Sequence, residues 1–286
     1  MKGRTLLILA MAGTFCYSFL LVPTSSYTLQ QALDQGLVKA EYKALGNSSR
    51  ECVDVSILNL TNRNLKIKID PGLQLHTHDP EQQDILITRE EEVFVDAGTS
   101  KTAPLYGFCS QAINATPSEG PAFASADYGD EALRELAAYL NQHPTEPSIE
   151  QHAVWSISEG HPLAAILNAQ DDNDNALREF CAEIREVETP WYDIEYGDVL
   201  DAPFADEPLK LEGKMEYKVD HRGTASLVCL DPDGELLVSF FEGRQRIPGP
   251  TYTQTFEFSA TNMKRGDYRF QLLLNDEVEV EEVITL

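Results

Sequence analysis

From Val38 onward the sequence is written largely in short alternating runs. Val38 to Leu45 begins the pattern, and Cys52 to Leu60 places Val53, Val55 and Ile57 on one face with Asp54 and Ser56 on the other. A period of two is that of a half-buried strand. T-N-R-N at Thr61 to Asn64 reads as a turn, after which Leu65, Ile67 and Ile69 alternate with Lys66 and Lys68. These two runs are expected to form an antiparallel pair. Asp70-Pro71-Gly72 breaks the second run; Ile85 to Thr88, Glu92 to Val95 and Thr102 to Phe108 supply further strands. Short strands with frequent turn residues predict a β-sandwich of the immunoglobulin-like kind.

The period changes in mid-chain. Asn114 to Gly129 is rich in small residues and proline and reads as a connection. Leu133, Leu136, Ala137 and Leu140 then recur at helical spacing, and Pro144 follows the stop. The next helix is the best punctuated in the chain, Pro147 to Gly160. Ser148 at the N-cap and Gln151 three residues on form a capping box, while Ile149, Ala153 and Ile157 share a face and Trp155 supplies one large anchor. Gly160 and Pro162 end it. A brief apolar piece, Leu163 to Leu167, precedes another amphipathic helix marked by Leu177, Phe180, Cys181 and Ile184; Leu29 to Leu37 is a further short candidate. Helices this short, each apolar on one stripe, must bury that stripe against each other or against the first sheet.

The predicted class is therefore mainly β with an α-helical insert. Residues 27–188 are read as a β-sandwich packed with three to four short helices, and 189–213, with Pro190, Pro203, Pro208 and many acids, as a linker. Residues 214–286 are all β: Ala225 to Leu230, the turn Asp231-Pro232-Asp233-Gly234, Leu236 to Phe241, Tyr252 to Phe258, Tyr268 to Leu274 and Val278 to Leu286. A second immunoglobulin-like sandwich of about seven strands is the natural assembly.

Charge narrows the choice of partners. The 47 acidic residues outnumber 22 basic ones, for a net charge of −25. Such a surface repels phosphate backbones and anionic headgroups, so nucleic acid is excluded as a partner. Lys2 and Arg4 precede an apolar run, Thr5 to Val22, then Pro23 and the small residues Thr24, Ser25 and Ser26. That order is a secretory signal over 1–26, cut near Ser26–Tyr27, which predicts a secreted or surface protein with no membrane span after cleavage. Four cysteines follow it, Cys52, Cys109, Cys181 and Cys229. Export permits disulfides. Cys52 and Cys109 fall at the two ends of the first β-rich block and are the favoured pair, while Cys181 and Cys229 read as buried thiols.

The last quarter of the chain runs strand, D-P-D-G, a strand ending L-V-S-F-F, a glycine-rich loop, K-R-G-D-Y-R-F and a final hairpin. This cadence resembles the immunoglobulin-like C-terminal modules of exported Bacteroidota proteins, including type IX secretion sorting domains. Those domains close on basic residues; V-E-E-V-I-T-L here is acidic. A second resemblance lies in mid-chain. Phe108-Cys109 followed by Gln151-His152-Ala153-Val154-Trp155 is similar to bacterial surface thioester domains, in which an aromatic-Cys motif precedes a Gln-x-Ala-(Ile/Val)-Trp helix. In that family the Cys thiol and the Gln side chain condense to an internal thioester that captures an amine, which would give Cys109 and Gln151 those roles. Glu150 stands where the family usually has Thr, and Phe108 where it usually has Tyr. The competing reading keeps Gln151 as the capping-box residue and Cys109 in a disulfide or the core.

Asp171, Asn173 and Asn175 fit the first positions of an EF-hand loop, but Ala176 replaces the turn glycine and Ala182 the twelfth ligand, so helix capping is the stronger reading. His76 and His78 stand two apart without an evident third metal ligand. No G-x-S-x-G, phosphate loop, H-E-x-x-H or dinucleotide fingerprint occurs, and no cofactor is implied. The sequence thus predicts a secreted or surface-attached, non-enzymatic binding or structural protein with a protein or glycan ligand. Covalent attachment through a Cys109–Gln151 thioester is the first alternative, and an exported hydrolase acting through carboxylates the second.

Overall fold

The computed structural model describes residues 25–166, 172–197 and 207–286. Residues 1–24 lie outside it, so the expected secretory segment is described only at Ser25 and Ser26. Those two residues open the first strand. In chain order the N-terminal part comprises β1 (Ser25–Thr28), α1 (Leu29–Asp34), β2 (Val38–Ala44), β3 (Ser49–Asn59), β4 (Leu65–Ile69), β5 (Gln74–Thr77), β6 (Ile85–Ile87), β7 (Glu91–Val95), β8 (Ser100–Cys109) and β9 (Phe123–Asp127). They form a three-stranded sheet, β1-β4-β7, and a six-stranded sheet, β2-β3-β8-β6-β5-β9. The inward residues predicted by alternation meet between them: Leu65, Ile67, Ile69, Val93 and Val95 from one sheet, Val53, Val55, Ile57 and Leu105 from the other.

β3 and β4 do not pair, contrary to the hairpin expected across T-N-R-N. β3 lies between β2 and β8, whereas β4 pairs parallel with β1 and antiparallel with β7. The reason lies in Asn59, which is buried at the crossover. Its carboxamide nitrogen donates to the carbonyls of Arg63 (2.8 Å), Asp96 (3.1 Å) and Val95 (3.2 Å), and its oxygen accepts from the amide and hydroxyl of Thr61. These bonds carry the chain from one sheet to the other instead of folding it back. β9 falls in the stretch read as a connection, and its exposed Ala and Ser residues are those of an outer strand.

The helices follow: α2 (Glu131–Gln142), α3 (Pro147–Ser158), a 3-10 turn at Leu163–Ala165, and α4 (Asp172–Ile184). Leu133, Leu136 and Leu140 of α2, Ile149, Ala153 and Val154 of α3, and Leu177 and Cys181 of α4 share a core with Leu86 and Phe108 of the six-stranded sheet. That sheet is therefore covered on both faces. No helix among the described residues is long and apolar enough to cross a membrane.

The C-terminal part holds β10 (Tyr192–Tyr196), β11 (Pro208–Tyr217), β12 (Gly223–Leu230), β13 (Leu236–Arg246), β14 (Tyr252–Ser259), β15 (Asp267–Leu274) and β16 (Glu277–Thr285). They form two antiparallel sheets, β10-β11-β14 and β13-β12-β15-β16, around a common core with Leu211, Met215, Leu227, Phe270, Leu272 and Ile284. The segment 189–213, expected to be a linker, therefore contains β10 and part of β11. Ile194 and Tyr196 point into the core while Glu195 stays outside beside Lys210. Residues 198–206 lie outside the described chain.

Gly107 marks the tightest backbone approach in the six-stranded sheet. A Cβ there would stand 2.5 Å from the Leu86 carbonyl oxygen and about as close to Ile85 and Ile87 as packing allows. Gly107→Ala should cost about 1–3 kcal/mol by overpacking. Gly197→Ala, where an added methyl meets nothing, should stay within about 0.5 kcal/mol of the parent. Urea unfolding midpoints of the two variants test this.

Candidate functional site

β8 ends at Cys109 because the next residues turn into polar contacts. The Ser110 amide donates to the Asp84 carbonyl (2.9 Å), and the Asp84 amide donates to the Gln111 side-chain oxygen (2.6 Å). Cys109 itself stays on the ladder, opposite Ile85 of β6, with its amide donating to the Ser48 carbonyl at 3.0 Å. Its thiol belongs to the core enclosed between the two N-terminal sheets. Burial pushes that thiol well above its ordinary range, with Cys52 and Asp84 adding to the effect.

Helix α3 brings Gln151 to the Cys109 main chain from the opposite face of the sheet. The capping box expected at Ser148 is not formed: the N-cap is Glu146, Pro147 occupies the first turn, and no side chain caps the helix. Pro at this position costs nothing, since its missing N–H has no partner in a first turn. Gln151 is thereby released from a capping role. It is fully buried, and its Nε2 donates to the Cys109 carbonyl oxygen at 2.7 Å. Its Oε1, equally shielded, accepts no hydrogen bond among the described residues. The two residues singled out by the aromatic-Cys and Gln-x-Ala-Val-Trp motifs are thus in direct contact, through the carboxamide of one and the main chain of the other.

Glu150, one residue earlier, fixes the helix. It is fully buried; its carboxylate takes Arg89 at 2.5 and 2.7 Å and the Thr145 amide at 2.8 Å. Burial raises its pKa, and the Thr145 amide and Arg89 oppose that rise. Arg89 also lies over the Tyr106 ring, 4.9 Å from its centroid, and Tyr106 meets Phe108 edge-on at 5.7 Å. The chain from Glu150 through Arg89 and Tyr106 to Phe108 ends beside Cys109. Sequence reasoning missed Arg89, which lies in the β6–β7 loop and carries no local pattern that links it to Glu150.

His152 faces the other way, stacked on His161 at 5.2 Å and near Trp155 and Tyr196. Burial, assisted by His161, lowers its pKa to about 3. Trp155 belongs to the C-terminal core rather than to the helix cluster.

The remaining candidates separate. Cys52 and Cys109 are both free thiols, so the expected disulfide is not formed. The register explains it: Cys109 lies opposite Ser48, while Cys52 occupies the irregularity between Glu51 and Val53, opposite Tyr106 and Leu105. At about 3.3 Å per residue the two are roughly 10 Å or more apart along the strands, beyond disulfide reach. Cys181 and Cys229 are likewise buried and free. Asp171 lies outside the described residues, and Asn173 and Asn175 fall within α4. His76 sits between Asp84 (2.9 Å) and Asp127 (3.2 Å), and no cluster suited to a metal occurs among the described residues.

No protein-family model matches the chain, and no curated protein sequence does. Among solved structures, a selenomethionine-labelled β-glucosidase from Kluyveromyces marxianus is matched over 82% of this chain and 44% of its own, at 9% identity. The chain thus spans less than half that enzyme's length, and the TM-score of 0.20 is too low to indicate a common fold.

Two expectations follow from the geometry. Arg89→Met strands the Glu150 carboxylate inside and should cost about 3–5 kcal/mol at neutral pH. Adding Glu150→Gln should return a large part of that, as read from urea midpoints. His152, whose folded pKa lies below its unfolded one, contributes stability that is full above about pH 6.5 and drains as pH falls towards 3. Between pH 7 and pH 5 the parent should lose about 2 kcal/mol more than His152→Phe.

Proposed function

We propose that this chain is an exported, non-enzymatic attachment protein in which Cys109 and Gln151 condense to an internal thioester that captures an amine of its partner. The observation that carries the reading is the fully buried Gln151 carboxamide resting 2.7 Å from the Cys109 carbonyl oxygen. In the condensation, the Cys109 sulfur attacks the Gln151 side-chain carbonyl carbon. The C–N bond breaks, and the amide nitrogen leaves with the thiol proton as ammonia. Sγ lies on the face of the sheet opposite α3, so bond formation requires the end of β8 to turn over and carry the Cys109 side chain across to that carbon. In the capture step an amine attacks the same carbonyl, an amide forms, and the C–S bond breaks to return the Cys109 thiol. Each molecule reacts once, so no turnover is involved.

Enclosure suits such a bond. A thioester open to solvent hydrolyses, whereas one walled by the sheet and α3 meets water only when that packing opens. The Arg89–Glu150 pair supports the reading by holding the first turn of α3 against β8. The acidic surface favours protonated amines on basic partners, whether lysine side chains or amino sugars. The charged-apolar-small order of residues 1–26 supports export. The seven C-terminal strands, three facing four, support an immunoglobulin-like module that holds the reactive part away from an attachment point.

Intact mass of the purified exported protein tests this. The expected mass is lower than that of the mature sequence by one ammonia, and methylamine should raise it to one CH2 above that sequence by forming the Gln151 methylamide and freeing the Cys109 thiol. Cys109→Ala and Gln151→Ala should each show no deficit and no adduct. A parent protein with no ammonia deficit and no methylamine adduct overturns the reading.

A further inference from the structure

The six-stranded sheet almost closes on itself. Its two outer strands, β2 and β9, are zipped at one end, where Ala44 and Gly120 exchange main-chain hydrogen bonds of 2.8 and 3.0 Å. Beyond that bridge no ladder joins them among the described residues. A cavity of about 650 Å³ lies between, with Ala40 and Tyr42 on one wall, Phe123 and Ala126 on the other, and Leu29 and Leu33 of α1 at the far end. Its volume is that of a ligand site.

The main chain of β2 is directed into this gap. The Leu45 amide donates to the Cys52 carbonyl, and the Leu37 carbonyl accepts from the Leu60 amide, both towards β3. Ala44 bonds in the opposite direction, to Gly120. Because successive residues of a strand direct their amides and carbonyls to alternate sides, Ala40 and Tyr42 share the direction of Ala44. Their four main-chain groups have no main-chain partner across the gap among the described residues. An unpaired strand edge recessed in an apolar cavity is matched by a molecule that brings its own alternating donors and acceptors. The charge of the chain, −25, selects the sign of that molecule.

We infer that the seam between β2 and β9 binds an extended peptide segment of a basic partner, which adds to β2 as a strand. Main-chain bonds to Ala40 and Tyr42 give register, and alternate small or apolar side chains of the peptide enter the cavity. The inference stands apart from the thioester, since neither Cys109 nor Gln151 lines the seam.

The test is selection of short random peptides displayed on phage against the purified full chain at low salt. Enriched sequences should be basic. The strongest, made synthetically, should slow hydrogen exchange of the Ala40 and Tyr42 amides by about tenfold or more. Methylating alternate peptide nitrogens, which removes donors without changing charge, should weaken binding by about tenfold or more. Cys109→Ala should bind the peptide as the parent does, which keeps this result separate from the fate of the thioester. A selection that yields no binder or only acidic ones, exchange at Ala40 and Tyr42 that does not change, or binding indifferent to N-methylation overturns the inference.

Discussion

A helix with no solvent face must satisfy every polar side chain it carries from what surrounds it, and α3 is such a helix. Eight successive residues, Ile149 to Ser156, are buried. Four of them are polar or ionisable, and burying such groups without partners costs several kcal/mol each. Glu150 is met by Arg89 and the Thr145 amide, and Ser156 by Arg185 at 3.2 Å. Gln151 is met by the Cys109 carbonyl on one end of its carboxamide only. The buried ion pair is not a bargain in stability, because desolvation offsets most of its Coulombic gain. What it does is fix the azimuth of the helix: any rotation that frees Gln151 from Cys109 also strands a carboxylate.

The same logic joins the helical layer to the C-terminal sheets. Arg178 of α4 is nearly fully buried; its guanidinium donates to the Ile166 carbonyl, with Nε at 2.6 Å, and pairs with Asp193 of β10. Trp155 crosses in the other direction, from α3 into the core around Phe270 and Leu227. Arginine suits this task because its planar fork serves several acceptors at once. In a chain so short of cations, Arg89 and Arg178 are both committed to interior seams. The surface is left to the carboxylates, which gives it the sign that basic partners meet.

Much of the strand and helix content was legible because alternation and helical spacing report burial directly. Val53, Val55 and Ile57, or Leu133, Leu136 and Leu140, face the cores that their spacing predicts. What stayed hidden was decided by single side chains acting at a distance. Asn59 sends the chain across to the second sheet with five hydrogen bonds, so a turn-like T-N-R-N does not make a hairpin. β10 was obscured because its acids and neighbouring prolines resemble a linker, although Ile194 and Tyr196 alternate as a strand should. β9 was missed because an outer strand needs few apolar residues. At the site, the motif located Cys109 and Gln151, but local capping rules assigned Gln151 to the wrong partner. The helix begins at Glu146 instead, with Glu150 occupied by a residue sixty-one positions upstream that no window of sequence contains.

Interiors are ordinarily satisfied, and departures from that rule are informative. Among the described residues of the N-terminal part, Gln74, Gln83, Thr88 and Gln151 each keep a shielded side-chain atom without a hydrogen-bond partner, and the proposed reaction and peptide bear on two departures from the rule. The Gln151 oxygen sits shielded and unbonded inside α3, beside the buried Arg89–Glu150 pair. The main chain of Ala40 and Tyr42 faces a cavity at the one place where the sheet fails to close. A fold selected only for stability would be expected to seal both, since a side-chain amide facing a donor, or one more residue pair on the β2–β9 bridge, would do so at little cost.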